Sequence, residues 1–497
     1  MSTAAISTPA KLPGRLLLLL ALSGLLLTAG DFLRRGRNAW QAAGIAPGVT
    51  ITSGCEEESL FALWRAGHRQ PVYLDTAHPP FAAAYFNWLF YSVYSAPLRA
   101  MLPSADEANL IRASRLLTAT GALAGAVLLS GVFLRLLPAQ RGFAVAIGCF
   151  VFLGPLVGWW AHTARPDVWC LVFETAAIVT LLVWHRTKPW TATLACTVLF
   201  FVAWSLKQTY VIGPAAAVLY LLARRRWAHA AALAGATAAL WCAAFVLLGP
   251  AYRASQIQAG TTVAFYLATG WSNLLDTGRK AAPLWLLAGA GLHSVTRFKP
   301  ADATPSLARD ARLFGLLGVV AALPLTFMAA CKLGAASNYY FTVTVMLALA
   351  GVGALALHPS RWLPAAAGAL IIALQLVLLR GQTDLQPQWD ELAQRWGTFQ
   401  KLPEPRFSFD NRLNLPWLNP HSPPFVLAYY YELDRLAGKS YEAGGVAGLI
   451  ERGYFAALLL DPATTDSAYG GKLSRYIRGE TVGNLTVFRR ATPSSSP

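Results

Sequence analysis

A chain that strings together about eleven apolar stretches, each roughly 20 residues long, has one kind of solvent open to it: the hydrocarbon layer of a membrane. The stretches begin near Leu16, Arg112, Phe143, Val168, Trp190, Tyr210, Ala230, Pro283, Phe314, Asn338 and Trp362. Of the 497 residues, 55% are hydrophobic and 13% charged, and the mean hydropathy is +0.44. A soluble core of this length would not bury so much apolar surface. The expected fold class is an all-α polytopic membrane protein.

Orientation follows from the basic residues. Lys11 and Arg15, Arg135 and Arg141, Arg186 and Lys188, Arg224 to Arg226, Arg297 with Lys299, Arg309 and Arg312, and Arg361 fall at every second connection. Such residues mark the cytoplasmic side, which places the N-terminus there. The net charge of +17 is then largely a topology signal, and no nucleic-acid motif accompanies it. The run Leu16 to Ala29 is followed by the charged Asp31-Phe-Leu-Arg-Arg without a small-residue cleavage pattern, so it reads as a retained span rather than a signal peptide. The six cysteines show no metal-ligand spacing. Cys149, Cys170, Cys196 and Cys242 fall inside spans, and only Cys55 and Cys331 are expected at the outer face, where a disulfide is open to them but nothing fixes their separation.

Residues 1–380 thus form a membrane region, with a long outer loop over 31–111 that is rich in Trp, Tyr and Pro. Within that loop, Pro79-Pro80-Phe81 to Tyr94 is expected to be a helix lying on the membrane surface. A second outer connection, Pro250 to Lys280, carries Arg253, Tyr266, Trp271 and Asp276, as a cavity cover or as interfacial belt residues. Residues 381–497 have the composition of a soluble domain, extracytoplasmic if the number of spans is odd. Tyr454 to Asp461 and Thr481 to Phe488 read as strands and Glu442 to Arg452 as a helix, hence a small C-terminal α/β domain. Asn484-Leu-Thr is a formal glycosylation sequon inside an expected strand and reads as a chance match. No repeat period stands out.

Three polar clusters thread to the same outer face. Glu56-Glu57-Glu58 opens an amphipathic run and suits a helix N-terminus, yet three adjacent carboxylates exceed what a cap requires, and like charges raise one another's pKa toward that of a general base. Arg165-Pro166-Asp167 caps a span, and Glu174, seven residues on, lies on nearly the same helix face at membrane depth, where an ionisable group is costly. Lys207-Gln208-Thr209 ends another span with a lysine that is either a snorkelling side chain or a point charge for a phosphate. Lys332 and Ser337-Asn338-Tyr339-Tyr340 approach the same plane, and Arg112 and Arg115 begin a span there. Carboxylates beside cations at one membrane surface suit a reaction between an anionic lipid headgroup and a neutral hydroxyl.

The order of these motifs resembles that of the GT-C superfamily of polyprenyl-phosphate-sugar-dependent glycosyltransferases, which includes the protein O-mannosyltransferases and the lipid A aminoarabinose transferases. The resemblance is carried by Glu57-Glu58-Ser-Leu-Phe61, by Tyr73-Leu-Asp75 with His78-Pro79-Pro80-Phe81, by Ala164 to Asp167, by Leu206 to Thr209 and by Ser337 to Tyr340, over about Asp31 to Leu357. It implies a GT-C-like fold in a bacterial inner membrane and transfer of a sugar, with inversion, from a lipid carrier to an acceptor hydroxyl in an extracytoplasmic cavity. Glu57 or Glu58 would be the base. Arg165, Lys207 and Lys332 would hold the carrier phosphate, Asp167 would orient the acceptor or the cations, and Gln208, Asp75, His78, Asn338 and Tyr339 would contact substrate. The family's acidic pair usually begins with Asp, so three glutamates leave the catalytic register open by one residue. A divalent metal on the glutamates with Asp75, Asp167 or His78 is an alternative to neutralisation by the cations alone. The implied partners are a polyprenyl-phosphate-linked sugar, membrane lipids and a glycan, lipid or protein acceptor. Two other classes remain open: a lipid or glycan transporter or flippase using Glu174, and a non-catalytic cell-envelope assembly component.

Overall fold

The computed structural model describes residues 12–45, 56–101, 107–261, 264–297, 306–332, 334–358, 362–380, 386–420, 431, 434–436 and 438–491. Each of the eleven apolar stretches is a helix: Leu12–Ile45, Glu107–Leu136, Arg141–Leu153, Asp167–Trp184, Pro189–Leu206, Ile212–Ala223, Trp227–Leu247, Ala282–Arg297, Leu307–Ala330, Phe341–Ala356 and Trp362–Arg380. Among the described residues, 7 of the helices are long and apolar enough to cross a membrane by themselves, judged by length and composition. At a rise of about 1.5 Å per residue, helices such as Arg141–Leu153 and Ile212–Ala223 fall well short of a bilayer core of roughly 30 Å.

Phe341–Ala356 is apolar all round and packs against Ala282–Arg297, Leu307–Ala330, Glu107–Leu136, Arg141–Leu153 and Asp167–Trp184, which makes it the central helix. Its tightest neighbour is Leu307–Ala330. A Cβ added to Gly315 would stand 2.4 Å from the Ala350 amide nitrogen, so the missing side chain sets how closely the two backbones approach. Glu174, read from sequence as a sign of a substrate pathway, is a buried tie between three helices: it accepts from the Gly213 amide at 2.7 Å and from the Thr342 hydroxyl. Its polar atoms are satisfied within the bundle.

Asp167–Trp184 is about 27 Å long at that rise and separates two polar ends. Next to its C-terminus, Arg186 and Arg224 both pair with the buried Asp310. Its N-terminus carries Asp167 and the candidate site. The basic connections at Arg186 and Arg224 therefore meet at the end of the bundle opposite the site.

The surface helix expected from Pro79 begins only at Trp88 and runs to Met101. Phe81 has φ 55°, a left-handed conformation through which a helix of L-residues does not pass. The Pro250 to Lys280 connection forms two helices, Pro250–Thr261 and Leu267–Lys280. The first is tied down by Tyr252, whose hydroxyl donates to Asn87 Oδ1 at 2.6 Å, and by Ser255, whose hydroxyl donates to the Ala84 carbonyl at 2.7 Å.

Near the C-terminus, β1 (Arg406–Ser408), β2 (Ala457–Leu460), β3 (Ser467–Ala468), β4 (Gly471–Lys472), β5 (Tyr476–Val482) and β6 (Leu485–Arg490) form a sheet of order β1-β2-β6-β5 and a small β3-β4 ladder. β1 runs parallel to β2, and the other pairs are antiparallel. Alternation along β2 sends Leu458 and Leu460 to one face with Val446, Ile450 and Phe81, and Ala457 and Leu459 to the other with Phe399 of the helix Gln386–Lys401 and Leu402 just after it. Asn484 is not within a strand. Val482 pairs with Leu485, which leaves Gly483, at φ 59°, and Asn484 as an exposed two-residue turn. A further apolar cluster joins Phe61 and Ala82 to Leu415 and Leu418, so the sheet region rests on the helix Glu56–Gly67. Cys331 is a free thiol, and Cys55 lies outside the described residues.

Candidate active site

The three consecutive glutamates stand in the first turn of Glu56–Gly67, where a helix N-terminus favours negative charge. Successive helical residues point about 100° apart, and the three carboxylates have three different surroundings. Glu56 is buried and held by Arg115 through two bonds of 2.9 Å, while its Oε1 also accepts from the Ala164 amide at 2.8 Å. That clamp places the segment leading into Arg165. Glu57 is not among the residues of the central cavity, and the charges of Arg412 and Asp410 in the C-terminal region act on it. Its Oε2 is buried with no hydrogen-bond partner, and burial pushes its pKa up despite the Arg412 charge. Glu58 lines the central cavity.

That cavity, of about 150 Å³, is also lined by Ser59, Tyr85, Tyr91, Trp160, Arg165, Lys207, Gln208, Gln256, Lys332, Asn338 and Tyr339. Asp167 lies behind its wall, fully buried, and organises it. The Asp167 carboxylate receives Lys207 Nζ at 2.5 Å, Asn338 Nδ2 at 2.6 Å and Arg165 Nε at 3.1 Å. One buried anion thus holds two cations and an amide from three separate segments. Trp160 stacks 4.6 Å from the Arg165 guanidinium, and Tyr339 stands 5.4 Å from the Lys207 ammonium. Burial lowers the pKa of Lys207 against the opposing pull of Asp167. Two cations against one carboxylate leave net positive charge at the wall, an electrostatic invitation to a phosphate.

Of the residues singled out in the sequence, Glu58, Arg165, Lys207, Gln208, Lys332, Asn338 and Tyr339 share the cavity. Asp75 and His78 do not line it. His78 is 59% exposed and bonds to Glu442 Oε2 at 2.8 Å, and Asp75 lies 3.6 Å from the same ring. They belong to the contact with the C-terminal region, where the Glu442 amide donates to the Ala77 carbonyl at 2.9 Å. Arg112 bonds to the Trp40 carbonyl and Asn109 and also lies off the cavity. The acids suggested for a divalent metal do not converge: among the described residues no three His, Cys, Asp or Glu side chains come together as ligands. Sequence reasoning missed Trp160, Tyr85, Tyr91 and Gln256. Trp160 and Tyr85 each stood four residues from a recognised motif, and Gln256 sits in a helix with no motif at all.

The burial of Glu57 has a measurable consequence. A carboxyl whose pKa is raised by folding adds stability at pH values below its unfolded pKa, and that contribution is lost as pH rises through the folded value. Glu57→Gln is therefore expected to raise the melting temperature at pH 8 relative to wild type, with the gap closing near pH 4. Thermal melts in detergent at both pH values check this. A lower melting temperature at pH 8 would mean that attraction to the Arg412 charge outweighs burial.

The long apolar helices and the polar cavity at one end of their bundle define a polytopic membrane protein. Its fold is similar to that of solved membrane transferases. Two solved structures of ArnT from Cupriavidus metallidurans superpose with a TM-score of 0.56 over 94% of this chain and 99% of theirs, at 13% identity for the apo state and 12% for the form bound to undecaprenyl phosphate. The archaeal oligosaccharyltransferase AglB from Archaeoglobus fulgidus, in complex with an inhibitory peptide and a dolichol-phosphate, matches with a TM-score of 0.51 and 12% identity over 90% of this chain and 69% of that one. No family model and no curated protein sequence matches the chain.

Proposed function

We propose that the protein is an inverting glycosyltransferase that moves a sugar from a polyprenyl-phosphate carrier to an acceptor hydroxyl. The observation that carries this reading is a single cavity in which one carboxylate, Glu58, is accompanied by the Arg165 and Lys207 cations that Asp167 holds in place. The similarity of fold to ArnT and AglB, solved with polyprenyl-type phosphates, supports the choice of donor. The proposal puts the reaction at the extracytoplasmic face of a bacterial inner membrane, and the meeting of the basic connections at Arg186 and Arg224 at the opposite end of the bundle supports that side. A transport role loses its main support with Glu174, whose carboxylate is satisfied within the bundle.

In this reaction Glu58 accepts the proton of the acceptor hydroxyl as its oxygen attacks the anomeric carbon from the face opposite the phosphate. The bond between that carbon and the phosphate oxygen breaks, and its electron pair leaves with the phosphate. The carrier changes from a singly charged diester to a monoester of higher charge. Lys207, Arg165 and Lys332 consequently bind the departing group more strongly than the bound donor, which is the differential binding that accelerates a reaction. Asp167 positions the two buried cations and does not touch the substrate.

The test is consumption of polyprenyl-phosphate-linked sugars by the protein purified in native lipid, followed by mass spectrometry with extracted acceptors present. Loss of sugar from the carrier in wild type supports the reading, and no loss across a full donor panel counts against it. Lys207→Ala is expected to weaken binding of polyprenyl phosphate by about 10- to 100-fold, the worth of a charge-assisted contact in a desolvated site. Unchanged affinity would return Lys207 to a purely structural partner of Asp167.

A further inference from the structure

Gln256 is the least explained polar side chain of the cavity wall. Both its Oε1 and its Nε2 are buried, and neither has a hydrogen-bond partner in the protein. Buried carboxamides left open in this way are uncommon in folded proteins, because each unsatisfied group carries a desolvation cost. Gln208, on the same wall, is half open. Its Nε2 donates to the Tyr85 carbonyl at 2.7 Å, which fixes the orientation of the amide and leaves Oε1 buried without a partner.

The unmet demand has a definite chemistry. Gln256 offers a donor and an acceptor side by side, and Gln208 offers a further acceptor. A phosphate can only accept and a polyprenyl tail can do neither, so the carrier by itself satisfies none of the open acceptors. A ring bearing neighbouring hydroxyls satisfies them all: one hydroxyl donates to Gln256 Oε1 while the next accepts from Nε2. The side chain is also held in advance. Tyr252 and Ser255, one turn and one residue before it, fasten its helix to Asn87 and Ala84, and Asn87 in turn donates to the Trp204 carbonyl at 2.5 Å. The same segment supplies Tyr85 to the cavity wall.

We infer that Gln256 is a specificity-determining residue that reads a pair of neighbouring hydroxyls on the donor sugar, with Gln208 Oε1 accepting from the same ring. This rests on the carrier-dependent reading above and adds to it the class of sugar: a polyhydroxyl ring that retains adjacent hydroxyls. A deoxy sugar lacking one of the pair is selected against, since it leaves one end of the Gln256 amide unmet.

The experiment compares binding of bare polyprenyl phosphate with that of a panel of polyprenyl-phosphate-linked hexoses, pentoses and deoxy sugars, using full-length protein in lipid nanodiscs and no acceptor. Wild type is expected to favour at least one hydroxyl-rich sugar over the bare carrier. Gln256→Ala should reduce that advantage about 10- to 100-fold, the worth of one or two hydrogen bonds in a closed site, while its affinity for the bare carrier stays within about twofold of wild type and so verifies the fold. A Gln256→Ala protein that keeps the full sugar preference, or loses affinity for bare carrier and sugar equally, overturns the assignment, as does a wild type that distinguishes no sugar on the panel. Failure of wild type to bind the bare carrier at all would overturn the carrier reading itself, and the two failures are told apart by that single measurement.

Discussion

Replacing Glu58 by glutamine is expected to reduce transfer by at least about 10³-fold while leaving affinity for the carrier lipid within a few fold of wild type. Glutamine keeps the size and most of the hydrogen-bonding shape of the side chain but cannot accept a proton, so it removes the base and little else. General base catalysis contributes roughly 10² to 10⁴ in rate, and here the nucleophile is an alcohol that barely ionises unaided. The neighbouring glutamates provide the controls. Glu57 lies off the cavity, so Glu57→Gln should retain most of the turnover. Glu56 is committed to Arg115 and the Ala164 amide, so Glu56→Gln should lower stability first and activity only through it. Single-turnover rates, with carrier affinity measured in parallel, separate the three. Wild-type rates in Glu58→Gln would remove Glu58 as the base, and a collapse confined to Glu57→Gln would move the assignment to its neighbour.

Asp167→Ala should have the largest effect on stability. The substitution leaves the buried ends of Lys207 and Arg165 without their shared carboxylate and Asn338 without its acceptor. Breaking a buried ion pair by deleting one partner typically costs about 3–5 kcal/mol, because the remaining charge is neither solvated nor paired. Some of that cost returns when a phosphate binds, so the variant should be rescued in part by carrier lipid. The expected pattern is a large fall in melting temperature that shrinks at saturating polyprenyl phosphate, together with loss of transfer. Asp167→Asn keeps the shape without the charge and should fall between. A variant as stable as wild type, with wild-type carrier affinity, would show that Lys207 and Arg165 are positioned by other contacts.

Much of this site could be found in the sequence because membrane threading is a strong constraint on a chain so apolar. Once alternating basic connections are assigned to one side, Glu56 to Glu58, Arg165 to Asp167, Lys207, Lys332 and Asn338 must share the other, whatever the packing between helices. Which glutamate enters the cavity could not be found in this way. Neighbouring positions at the start of a helix differ by a rotation of about 100°, and the helix is turned by Arg115 and by the apolar cluster of Phe61, Ala82, Leu415 and Leu418. Those partners lie from 21 to more than 350 residues away in the chain, and no local pattern reports them. The helix start at Trp88 was hidden for a different reason: prolines are compatible with a helical first turn, and only the left-handed Phe81 rules it out there.

The sequence by itself determined the solvent this protein folds in, the places where its helices form and the set of charged residues that share one end of the bundle, because hydropathy and backbone satisfaction act locally along the chain. The tertiary structure alone decided that Glu174 is a tie between helices, that Asp75 and His78 serve the contact with the C-terminal region, and that Gln256 stands in the cavity beside Gln208 with its amide unmet. Each of those outcomes depends on which groups from distant segments meet a polar atom once water is excluded. Pairing of that kind is a property of the packed bundle, and it is absent from any one stretch of the chain.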